Sequence, residues 1–129
     1  MDTSPLGDPV GLVSGINKIY FEADESAVTA FEKACAAVGA NSVAGTIASG
    51  DQFMSDTAKK TAIRERFNAI ACEMEGAAVA HVAFVNGVPF AVLRAISDSA
   101  SGDAQMEYPK FVAMAADRSH KIIDAFLQA

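Results

Sequence analysis

At 129 residues, 51% of them apolar and 20% charged, the chain has the length and composition of one soluble globular domain. Sixteen acidic against ten basic residues give a formal charge of -6, which argues against nucleic acid or an anionic membrane as a partner, since either calls for a basic surface. The first residues are polar, and no apolar run reaches the ~18 residues of a membrane span, so a cytoplasmic protein is the simplest reading.

Residues 1–15 hold three glycines and two prolines and read as an irregular arm. Ile16 to Phe21 follows as a short strand. Asp24 and Ser26 are N-cap candidates for a helix to about Val38, with Val28, Phe31, Ala34 and Cys35 on one face and Gly39 as its C-cap. Asn41 to Ala48 is β-rich and runs into the turn Ser49-Gly50-Asp51. A helix from about Asp56 to Phe67 is strongly charged on one side. Ala69 to Met74 reads as a strand, then Gly76 to Val85 as a helix closed by Asn86-Gly87. Pro89 to Ile96, apolar but for Arg94, reads as a further strand. A loop rich in Ser, Gly and Asp spans 97–107. The last helix runs from about Tyr108 to Leu127, with Phe111, Met114, Ile122, Ile123 and Phe126 apolar.

Strands alternating with helices of ten or more residues imply an α/β fold, a parallel sheet covered on both faces. Three or four strands make a small sheet, and the pattern reads as an incomplete domain. Cys35 and Cys72 lack metal-ligand spacing and read as reduced core thiols. His81 reads as a packed helix residue and His120 as a solvated one. Without a close Cys–His pair no zinc site is expected, and no phosphate-cradling glycine loop is present.

The informative stretches are Ala71-Cys72-Glu73-Met74-Glu75-Gly76 and Arg94-Ala95-Ile96-Ser97-Asp98. Each is an apolar run ending in carboxylates, and in an open α/β sheet ligands bind where the strands end. Strand alternation would turn Glu73 and Glu75 one way and Met74 the other, with Glu75 the more exposed. A carboxylate there can accept two hydrogen bonds from a sugar diol, or simply favour the N-terminus of the next helix. Asp98 is either a turn or cap residue or a general acid tuned by apolar neighbours. Arg94, in an apolar run, calls for an ion pair with a strand-end acid. Phe53 is either core or an aromatic plate for a heterocycle.

Taken together, Cys-Glu-Met-Glu-Gly-Ala-Ala-Val-Ala-His-Val (72–82), Val-Pro-Phe (88–90), Arg-Ala-Ile-Ser-Asp (94–98) and Ser-Gly-Asp-Gln-Phe (49–53) resemble the methylthioadenosine/S-adenosylhomocysteine nucleosidases of the nucleoside phosphorylase superfamily. The resemblance runs from about Phe21 to the C-terminus. It implies a three-layer αβα fold with a mostly parallel mixed sheet, of which this chain is a truncated, C-terminal half. It implies that Asp98 protonates adenine N7 with Ser97 beside it, that Glu75 holds the ribose hydroxyls, and that Met74 packs on the sugar. Phe53 would stack on adenine, the backbone at Met54 would read the base edge, and Tyr108 would lie near the 5′-substituent. Glu73 and Arg94 would support the site. The implied reaction is hydrolysis of an N-glycosidic bond, in methionine salvage, with no metal or organic cofactor. The family's first half, with its glycine-rich turn and water-activating glutamate, has no counterpart here. The implied partners are a purine nucleoside, a second copy in a homodimer with residues 1–15 near the interface, and the missing half if separately encoded. A phosphorylase, a futalosine-type nucleosidase or a non-catalytic nucleoside-binding half-domain are the alternatives.

Overall fold

Parallel pairing of two short strands, with a helix between them, organises the computed structural model, which describes residues 3–96 and 108–128. The elements in chain order are α1 (Glu25–Ala37), β1 (Thr46–Ser49), α2 (Thr57–Phe67), β2 (Ala69–Glu73), α3 (Gly76–Val85) and α4 (Tyr108–Leu127). A helix is needed between β1 and β2 because parallel neighbours cannot be joined by a tight turn. The register sets Ile47 against Ala71, Ala48 against Cys72 and Ser49 against Glu73, with an irregularity between Thr46 and Ile47. The α/β class and the parallel pairing are those expected from the alternating pattern.

The helix ends follow local chemistry. Asp24 caps α1 by accepting from the Ala27 N–H at 2.9 Å, and Asp56 caps α2 by accepting from Lys59 N–H at 2.8 Å. Past the end of α1, Gly39 takes φ +67°, and the Ala40 N–H donates back to the Cys35 carbonyl at 2.9 Å. Gly39 N–H donates to Ala36 at 3.1 Å, completing a Schellman close that favours glycine at this position. Asn68, at φ +49°, stops α2 directly before β2.

The buried centre lies between α1 and α4. Ala34, Cys35 and Ile122 are enclosed there, with Phe31, Val38, Ala40, Leu93, Ala125 and Phe126 around them. The Phe31 and Phe126 rings stack with centroids 4.1 Å apart. On the same helix Met114 and Ile123 are exposed, because a single face of α4 meets α1. Cys35 is a free, buried thiol; Cys72, also free, is only half-buried and not a core residue.

Two expected strands do not form. Residues 16–21 make one antiparallel bridge, Lys18 to Val13, because the chain reverses at Asn17 (φ +55°) and folds back on the arm. Residues 89–96 join no ladder among the described residues; the Phe90 carbonyl instead accepts from Asp24 N–H at 2.8 Å. An apolar run calls for burial, but a strand also needs a neighbour's unpaired N–H and C=O groups. The strands that do form are shorter than the runs suggest: β1 begins only at Thr46, and β2 stops at Glu73.

Much apolar surface stays open. The chain exposes 9299 Å², against roughly 6,500 Å² for a compact protein of its 13.4 kDa. Helix α3 is apolar but for His81, yet it buries only Gly76, Ala80 and Ala83, leaving Val79, Val82 and Val85 exposed. No helix among the described residues is long and apolar enough to cross a membrane.

Candidate active site at the carboxyl ends of the strands

Both strands end on a polar residue, and the register brings those two residues side by side: Ser49 closes β1 and Glu73 closes β2. Ser49 Oγ donates to Glu73 Oε1. The other carboxylate oxygen, Oε2, accepts from the N–H of Glu75 at 3.0 Å and of Gly76 at 2.7 Å. The Ala77 N–H donates to Ser49 Oγ at 2.8 Å. The first N–H groups of a helix have no partner inside it, and here the ends of two strands supply them for α3.

The expected alternation of Glu73, Met74 and Glu75 along one strand is therefore wrong. β2 has already ended at Glu73, whose side chain turns under α3, and Glu75 is the residue that opens that helix. The two carboxylates part company as a result. The Glu73 side chain is 5% exposed and the Glu75 side chain 64%. Burial pushes the Glu73 carboxyl upward. The Ser49 hydroxyl, the Glu75 and Gly76 amides and the Arg94 guanidinium together outweigh it and hold the group below the ordinary glutamate range.

Arg94 spans both acids. Its Nη2 lies 2.9 Å from Glu75 Oε2, and its Nε lies 3.8 Å from Glu73 Oε2. The ion pair that an arginine in an apolar run calls for is thus made twice. The Glu75 side chain is 64% exposed, so its carboxylate can accept hydrogen bonds from a polyhydroxyl ligand. Met74, beside it, is 48% exposed.

The other candidate residues fall around this cluster or beyond it. Phe53 is 81% exposed in the segment after β1, so it is not a core residue; Met54, next to it, is half-buried. Tyr108 is the first residue of α4. Ser97 and Asp98 lie outside the described residues. His81 stacks on Phe21 with ring centroids 5.7 Å apart, and exposed His120 pairs with Asp124 at 3.5 Å. Among the described residues no group of three or more His, Cys, Asp or Glu could hold a metal ion. The residue that sequence reasoning missed is Ser49. It reads as turn chemistry until the register sets it opposite Glu73.

The family model described as the phosphorylase superfamily matches residues 4–128. The match thus starts well before Phe21 and takes in most of the arm. An aminodeoxyfutalosine nucleosidase of Campylobacter jejuni is 41% identical over 123 residues, which are 95% of this chain and 53% of that protein. A 5′-methylthioadenosine/S-adenosylhomocysteine nucleosidase of Haemophilus ducreyi is 37% identical over 128 residues, 98% of this chain and 55% of that one. The crystal structure of the Campylobacter jejuni 5′-methylthioadenosine/S-adenosylhomocysteine nucleosidase superposes with a TM-score of 0.89 at 40% identity, over 98% of this chain and 55% of that one. The futalosine hydrolase of Helicobacter pylori superposes at 0.85 and 32% identity, over 98% and 53%. The chain spans about half the length of the curated relatives it matches.

Proposed function

From a chain that belongs to the phosphorylase superfamily, we propose the sugar- and base-holding part of a nucleosidase site, one that hydrolyses the N-glycosidic bond of an adenine nucleoside such as 5′-methylthioadenosine or S-adenosylhomocysteine. The observation that carries this reading is Glu75: an exposed carboxylate at the head of a helix, tied to Arg94 at 2.9 Å, at the edge where the parallel strands end. Glu75 takes the ribose hydroxyls and Met74 packs on the sugar. Phe53, exposed beside the turn that follows β1, stacks on the base, and the Met54 backbone reads its edge. Tyr108 lies toward the 5′-substituent.

Asp98 is the general acid in this reading, with Ser97 helping to hold the base. Adenine is a poor leaving group as an anion, so protonation at N7 weakens the glycosidic bond and the sugar gains positive character. Water then attacks the anomeric carbon, while the negative Glu75 favours the developing charge. Glu73 and Arg94 support the site. The reaction needs no metal or organic cofactor. The same reading places the chain in the cytoplasm, in methionine salvage, and as a homodimer. The test is adenine release from 5′-methylthioadenosine, S-adenosylhomocysteine and aminodeoxyfutalosine, with and without phosphate. Release that requires phosphate would make the protein a phosphorylase.

Two observations favour specific second readings. The 41% identity to an aminodeoxyfutalosine nucleosidase supports that nucleoside as substrate. The second is a domain that binds nucleosides without turning them over, since the exposed Glu75 carboxylate can hold a sugar whether or not the bond is cut. The substrate panel separates the first, and a binding measurement without turnover separates the second.

A further inference from the structure

We propose that Ser49 and Glu73 are positioning residues, which together clamp the first turn of α3 and fix the Glu75 carboxylate where sugar hydroxyls meet it. The inference rests on the sugar-holding reading of Glu75 and adds the device that sets that group. Glu75 is 64% exposed, and its side chain is tied only to Arg94 among the described residues. A carboxylate on a loose backbone makes a poor polyol ligand, because its ordering is charged against binding.

The backbone beneath Glu75 is not loose. Three successive N–H groups, of Glu75, Gly76 and Ala77, each end on a side chain from a strand terminus. Ser49 joins the two halves of the clamp. Its hydroxyl donates to Glu73 and accepts from Ala77 N–H, so the serine, the acid and the helix close a ring of hydrogen bonds. Arg94 extends the ring to Glu75 itself by spanning both acids. The fit is tight: a Cβ on Gly76 would stand 3.0 Å from Glu73 Oε1. Glu73 accepts three hydrogen bonds from inside the protein and its side chain is 5% exposed, so it orients Glu75 and does not itself touch a ligand.

The experiment uses the full chain and reads two things: amide hydrogen exchange at residues 75–77, and binding of 5′-methylthioadenosine and of free adenine by calorimetry. Ser49→Ala is expected to speed exchange at all three amides and to weaken nucleoside binding roughly tenfold, the loss of one hydrogen bond to a charged group. Adenine, which lacks the sugar, should bind as before. Ser49→Thr, which keeps the hydroxyl, should restore both. Glu73→Gln, nearly isosteric, should reproduce the selective loss if Ser49→Ala unfolds. Unchanged exchange, or equal losses for nucleoside and adenine, overturns the clamp. A wild-type chain that binds the nucleoside no more tightly than adenine overturns the sugar-holding reading instead, and the exchange arm still reports whether the clamp exists.

Discussion

A carboxylate that is 5% exposed stays ionised only if its oxygens are occupied, and at Glu73 a serine hydroxyl, two amides and an arginine occupy them. Glu73→Ala strands those donors, which should lower unfolding free energy by about 2 kcal/mol in a urea titration. The pH dependence follows from the same contacts. The folded carboxyl is held below its unfolded value of about 4.3, so the folded state binds that proton less readily than the unfolded chain. The stabilisation is therefore whole above that pH and is lost as pH falls through the folded value. Wild type should lose stability more steeply than Glu73→Gln between pH 5 and 3; parallel curves would show that Glu73 is not the titrating group. The proposed nucleosidase reading gives Asp98 and Glu75 different tasks. Asn cannot donate a proton, so Asp98→Asn should mainly lower turnover of adenine release, whereas Glu75→Gln should damage turnover and affinity together. Near-normal turnover in Asp98→Asn would remove Asp98 from the acid role.

At the level of elements, the helix ends carry information that the helix faces do not. Helix α1 starts on Asp24 and closes through Gly39 at φ +67°. An L-residue resists that backbone, so Gly39→Ala should cost about 1 kcal/mol, read as a lower melting temperature. Space is not the issue, since a Cβ there meets nothing within 4 Å. Gly76 is the opposite case, a glycine whose Cβ would press on the Glu73 carboxylate at 3.0 Å. The helix boundaries were legible because caps are local: Asp24, Asp56, Gly39 and Asn86-Gly87 act within a few residues of themselves. The run 89–96 was misread because a strand is not local; its composition demands burial but cannot name the partner.

For the whole molecule, the exposed face of α3 is the feature with consequences for assembly. A helix apolar but for one histidine is ordinarily enclosed, yet Val79, Val82 and Val85 are exposed. Patches of this kind drive association. Light scattering over a range of concentrations should show self-association, and Val82→Glu should weaken it. A stable monomer with a cooperative melt would show that the core between α1 and α4 suffices. The chain spans about half the length of its curated relatives, and the resemblance implies that the family's water-activating glutamate lies in the other half. On the proposed nucleosidase reading, these 129 residues alone should release adenine some 10²–10⁴-fold more slowly than a complete family member, the usual worth of general base catalysis. A full-length-like rate would mean that another group activates the water.

Local pattern was enough to read the four long helices with most of their caps, the β1–α2–β2 alternation, the family, and the acids at the ends of apolar runs. All of these depend on residues near one another in the chain or on motifs read at fixed spacing. Glu75 is the more exposed acid, as its place at the strand end implies, but what encloses Glu73 is set by packing in three dimensions. The size of the difference arises because β2 stops at Glu73 and Glu75 opens α3. Ser49 enters the site only through the parallel register, 24 residues from Glu73 along the chain. That pairing is a property of two strands brought together, and neither strand encodes it alone.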